Sequence, residues 1–194
     1  LWGAVVRITG SGAGCGQHWP TCHGEVVPPS PTLETLIEFG HRATSGLCLL
    51  AVIGLTVWIH RVADSAHPIR RAAKWSTFFI LTESAVGAAI VLLEYVADNA
   101  SYARAVWMAV HLVNTFCLTG FLFLTAYRCG DSRAMRVRGH GRWTAEVFVL
   151  VVGVLLTSMI GAVSALGHTL FPVDPTQTVL EHVFDDPHAS TPYP

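Results

Sequence analysis

Charge is what this 194-residue chain has least of: 13% of its residues are Asp, Glu, Lys or Arg, 52% are hydrophobic, and the mean hydropathy is +0.48. So few charges would leave the surface of a soluble domain of this size largely apolar, and a membrane protein is the first reading. An excess of basic residues is also missing, since twelve Lys and Arg against thirteen Asp and Glu give a net charge of −1. Without a basic field there is no electrostatic footprint for a phosphate backbone, which excludes nucleic acid as a partner. A starting Met and a charged n-region are absent too, and Leu1 to Ile8 reads as the tail of an apolar helix rather than a signal sequence. The expectation is a chain truncated at its N-terminus and, because Pro187 to Pro194 closes no domain, at its C-terminus as well.

Four stretches are apolar over the roughly 20 helical residues that a hydrocarbon core requires: Ile37 to Ile59, Trp75 to Val96, Ala105 to Tyr127 and Val147 to Leu166. The segments Arg61–Lys74 and Arg128–Arg142 carry nine of the twelve basic residues, and the positive-inside rule puts them in the cytoplasm. Gly10–Ile37, Ala97–Ala103 and Gly167–Pro194 have no Lys or Arg and are expected outside. The other three cations, Arg7, Arg42 and Arg104, fall at the outer ends of helices, where they suit anion binding. Leu1–Ile8 then runs outward as a fifth helix. The expected architecture is all-α: a polytopic membrane protein with a transmembrane four-helix bundle over residues 1–128, a cytoplasmic loop over 129–142, and the first helix and outer segment of a second bundle over 143–194. The exit Gly161–Gly167 with Phe171-Pro172 echoes Gly3–Gly10 with Trp19-Pro20, which reads as an internal duplication.

Cys15 and Cys22 flank six residues of a Gly- and Pro-rich outer loop, on the side where disulfides persist. A bridge over so small a loop contributes only about 2–3 kcal/mol by the chain-entropy model, so its use is to hold a cap over the bundle; free thiols and a redox-active pair are the alternatives. His18 and His23 lie nearby, but their spacing fits no usual zinc pattern. Ser30 as N-cap and Pro31 in the first turn start the next helix above the membrane.

Within the spans lie His41, Glu83 and His111. Ionisable groups at such depth are costly and normally face a partner inside the bundle. His41 is ten residues from Pro31 and His111 seven from Arg104, so at about 1.5 Å per residue both imidazoles sit near the outer face. Alone, either is read as a packing histidine. As a pair on facing helices at matched depth they suit axial ligation of a heme. Thr44, Ser45 and Cys48 are small enough to admit a porphyrin plane, Asn114 and Thr115 are placed to orient a ring, and Arg7, Arg42 and Arg104 are placed for propionates. Glu38 shares a helical face with His41. Glu83 is read as a hydrogen-bonding partner in packing with no chemistry assigned, and His60, His67 and His140 as solvated.

The runs 3–15 (GAVVRITGSGAGC), 19–24 (WPTCHG), 37–42 (IEFGHR) and 108–115 (MAVHLVNT) together resemble the heme A synthase family, over Leu1 to about Pro172. The resemblance implies eight transmembrane helices in two pseudo-symmetric bundles, and oxidation of a ring methyl of heme O to a formyl group to give heme A for cytochrome oxidase. It implies that His41 and His111 ligate the substrate heme iron, that Glu38 takes part in catalysis, and that Cys15 and Cys22 are the outer-loop pair. The family's second histidine pair, which holds heme b in the C-terminal bundle, has no match; His168 and His182 lie in an outer segment. Implied partners are the lipid bilayer, heme O, the farnesyltransferase that makes it (heme O synthase) and an electron donor, in the plasma membrane of a prokaryote with the Cys15–Cys22 loop outside; homo-oligomerisation stays open. A bis-histidine cytochrome that only carries electrons, or a non-catalytic membrane scaffold, are the rival functions.

Overall fold

In the computed structural model the described residues are 2–96, 99, 101–130 and 141–170, without the side chains of 162, 163 and 165–170. Three arginines of the Arg128–Arg142 segment (Arg133, Arg136 and Arg138) lie outside them, as do His140, Phe171-Pro172 and His182 and the side chain of His168. The described chain is α-helical: α1 (Trp2–Ile8), a 3-10 turn (Ser11–Ala13), α2 (Leu33–Val62), α3 (Ile69–Leu92), α4 (Tyr102–Gly130) and α5 (Gly141–Leu170). In α2 to α5 four segments are long and apolar enough to cross a membrane, as the hydrophobic runs require.

The ends of these helices differ from expectation in instructive ways. Thr32, not Ser30, caps α2: its hydroxyl accepts from the Thr35 N–H at 3.2 Å. Helix α3 starts six residues before Trp75, directly after Pro68, whose fixed φ suits a helix start. Arg70, Arg71 and Lys74 therefore sit on the first turns of α3 rather than in a loop. Its other end comes at Leu92 instead of Val96. Glu94 takes a left-handed φ of 57°, and the Glu94 and Tyr95 N–H groups return to the Val91 and Ile90 carbonyls in a Schellman closure. Arg128, expected at the start of the cytoplasmic segment, is buried on α4 with its guanidinium 5.9 Å from the Tyr127 ring centroid. His60 is likewise half-buried on α2 rather than solvated, its Nδ1 2.8 Å from the Thr56 carbonyl.

Lipid tails are as apolar as Leu, so helices in a bilayer associate through close packing and polar contacts rather than hydrophobic burial. The contacts follow that rule. α2 and α3 form an antiparallel hairpin with Thr56 and Thr77 hydroxyls 2.7 Å apart; α3 and α4 share the largest interface, with Ser76 and Thr125 3.2 Å apart and Phe79 and Phe121 rings stacked at 5.3 Å. Val52, Ile80 and Leu118, one from each helix, form a buried cluster around the middle of α3. α5 packs on α4 and the short α1 on α2. Helices α2 and α4 share no extensive contact among the described residues, and each packs on α3. That separation sets the space at issue below.

Candidate functional site

The first part of the site is the cap. Cys15 and Cys22 are buried with their sulfurs at bonding distance and Cα atoms 4.4 Å apart. The loop is fastened to α2 by its polar groups. Glu38, 3% exposed, accepts the Cys15 N–H at 2.7 Å through Oε2 and the Arg42 guanidinium through Oε1, with Nε at 3.0 Å. Arg42 also donates to the loop carbonyls of His18 and Thr21, the latter at 2.7 Å. Thr35 donates to the Gly14 carbonyl at 2.7 Å. The approach there is so close that a Cβ on Gly14 would lie 2.5 Å from the Glu34 backbone. Across the bundle, Gln17 Nε2 donates to Glu94 Oε1 at 2.5 Å, tying the loop to the end of α3. The loop thus bridges from α2 to the far end of α3.

The histidines come next. His41 lies one turn beyond Glu38, where α1 docks on α2: Trp2 Nε1 donates to the Ile37 carbonyl at 3.1 Å, its ring covers Gly40, and Gly3 stands beside the His41 imidazole, which a Cβ there would approach to 3.5 Å. His111 on α4 has the matching arrangement with α3, where a Cβ on Gly87 would come within 3.7 Å of its ring. Each imidazole thus stands beside a glycine of a neighbouring helix. Thr44, Ser45 and Cys48, below His41 on α2, are exposed from the helix packing.

Glu83 belongs to this site, which its spacing did not reveal. Asn114 Nδ2 donates to Glu83 Oε2 at 2.6 Å, Thr115 donates to Oε1, and His111 Nδ1 lies 3.5 Å from Oε1. Asn114 therefore holds the carboxylate rather than the ring. Among the arginines expected to meet an anion, Arg42 has its donors engaged by Glu38 and the loop; Arg7 is exposed in the last turn of α1; Arg104 donates to the Asn99 carbonyl at 2.9 Å.

A heme pair needs neutral ring nitrogens, room beside each ring and a hydrogen-bonding group behind the ligand. The residues present fit the last two of these terms at His111 and the second at His41: a glycine leaves room beside each ring, and the buried His111 Nδ1, without a hydrogen-bond partner among the described residues, has a carboxylate oxygen beside it.

Fold and site together define a polytopic helical membrane protein with two histidines on separate spans, each beside a glycine of a neighbouring helix, and a tethered, cysteine-linked outer loop. Over residues 1–189 the chain matches the model of the COX15-CtaA family, "Cytochrome oxidase assembly protein". It belongs to that family. It is 51% identical over 181 residues, 93% of this chain and 30% of the relative, to a "Protoheme IX farnesyltransferase" of Thermus thermophilus. With a heme A synthase of Exiguobacterium sibiricum it shares 41% identity over 131 residues, 68% of this chain and 43% of that one. With one of Lysinibacillus sphaericus the figures are 39% over 92 residues, 47% and 30%. The matches thus span 30 to 43% of these curated relatives. No solved structure matches.

Proposed function

We propose that the protein carrying this chain oxidises a ring methyl of heme O to a formyl group, giving heme A for cytochrome oxidase. The substrate lies between α2 and α4 with His41 and His111 as its axial ligands. The observation that carries the reading is the pair of imidazoles on α2 and α4, each beside a glycine of a neighbouring helix, with the Glu83 carboxylate next to His111. Family membership supports the same chemistry. The net change, R–CH3 + H2O → R–CHO + 4 H+ + 4 e−, needs a redox partner, and the electrons leave through the iron.

The chain's own part is orientation. His41 and His111 fix the ring plane, and Arg7 and Arg104 take the propionates. The resemblance gives Glu38 a part in catalysis; its bonds to Arg42 and Cys15 give that part a form, because they set the disulfide-closed loop over the substrate edge. In this reading the loop faces outward from the plasma membrane of a prokaryote, heme O synthase supplies the substrate, and heme b occupies the family's other bundle. The farnesyltransferase name of the Thermus relative accords with that supply.

The test extracts hemes from membranes holding the full-length protein, or its His41→Ala or His111→Ala variant, after incubation with heme O and a redox partner. The formyl product appears with the wild type and is lost in both variants. Heme O bound but unchanged by the wild type would instead identify an electron carrier, and conversion unaffected by both substitutions would remove the histidines from the site.

A further inference from the structure

Glu83 sits in a membrane-spanning helix, where a carboxylate is costly unless something uses it. Three groups face it and all of them can donate: the Asn114 amide at 2.6 Å, the Thr115 hydroxyl and the His111 Nδ1 at 3.5 Å. The Asn114 amide has one orientation, because Nδ2 also donates to the Phe79 carbonyl at 2.9 Å and Oδ1 accepts from Thr82 at 2.7 Å. With both N–H groups and the carbonyl used, Asn114 is a rigid bracket that fixes Oε2 and turns Oε1 toward His111. Gly87, one turn further along α3, leaves the ring its place. His111 Nδ1 is buried without a hydrogen-bond partner among the described residues, and Oε1 of Glu83 lies beside it.

We infer that Glu83 is the positioning residue for His111, accepting its Nδ1–H so that Nε2 is presented to the heme iron. The inference rests on the proposed role of His111 as an axial ligand. At 3.5 Å the contact is longer than a formed hydrogen bond, and ligation closes it by drawing the ring into line. A carboxylate behind an imidazole makes the ligand more electron-rich and favours the oxidised iron, and loss of such a partner typically weakens metal binding by about 10- to 100-fold. Thr115 modulates the effect, since its hydroxyl competes for the same Oε1.

The full-length protein in detergent is loaded with hemin, and the heme component that His111→Ala abolishes marks this site. Hemin affinity, midpoint potential and the low-spin absorption spectrum are then compared between variants, with circular dichroism as the check on folding. Glu83→Ala lowers affinity by about 10- to 100-fold. Glu83→Gln keeps the shape and a low-spin spectrum and moves the potential positive. Thr115→Val, close in volume, removes the competing donor and moves the potential negative. The opposite signs separate a hydrogen-bonding role from a general packing fault. Potentials that stay put, or that move the same way in Glu83→Gln and Thr115→Val, would overturn the inference while leaving His111 as a ligand. Retention of all heme by His111→Ala would instead sink the ligand reading itself.

Discussion

Replacing Arg42 with Met isolates the clamp that holds the outer loop. The Arg42 side chain is 10% exposed and that of Glu38 4%, so the pair is nearly desolvated. Without the guanidinium, Glu38 retains only the Cys15 N–H, and the His18 and Thr21 carbonyls lose their donor. Removing one member of a buried ion pair costs about 3–5 kcal/mol, much of it the penalty for the charge left behind. If that cost falls on docking of the loop, the opening equilibrium rises by roughly 10² to 10^3.5, at 1.4 kcal/mol per factor of ten. Cys15 and Cys22 are 0% and 1% exposed, so a thiol reductant reaches them only when the loop opens. The reduction rate of full-length protein in detergent, read by thiol labelling, is the assay. Arg42→Met should accelerate it by about two to three orders of magnitude, and Glu38→Gln/Arg42→Met should recover most of the protection because no uncompensated charge remains. A single variant that reduces at the wild-type rate, or a double variant as fast as the single, would refute the claim that this ion pair fastens the loop.

Gly14→Ala places a Cβ 2.5 Å from the Glu34 backbone, which cannot swing aside as a side chain would, so it should undock the loop at a cost of about 1–3 kcal/mol and speed reduction, whereas Gly46→Ala, with open space around it, should not. Thr32→Ala removes the cap of α2 and should lower stability by about 1 kcal/mol, with a smaller effect from Ser30→Ala; thermal unfolding of the two variants checks the order.

Much of this molecule was legible along the chain, but unevenly. The four spans could be read because helix formation in a bilayer is a local requirement: a segment must be apolar over its length and satisfy its own backbone. Helix ends were less legible. The end of α3 depends on a left-handed Glu94, whose side chain is held by Gln17 77 positions away. The histidine pair could be singled out because ionisable groups are rare in spans. Glu83 carried the same signal, yet its role needed His111 beside it.

By itself, then, the sequence determined an all-helical membrane chain, the cysteine-bearing loop and the two imidazoles. Those features rest on hydrophobic length, helical period and residue chemistry, all of which are written in one dimension. Tertiary structure alone decided that α2 and α4 pack on α3 rather than extensively on each other, that Gly3 and Gly87 make room beside the rings, that Arg42 turns to the loop, and that Glu83 lies beside His111. These depend on how each helix is rotated and in what register it packs, quantities fixed jointly by partners far apart in the chain.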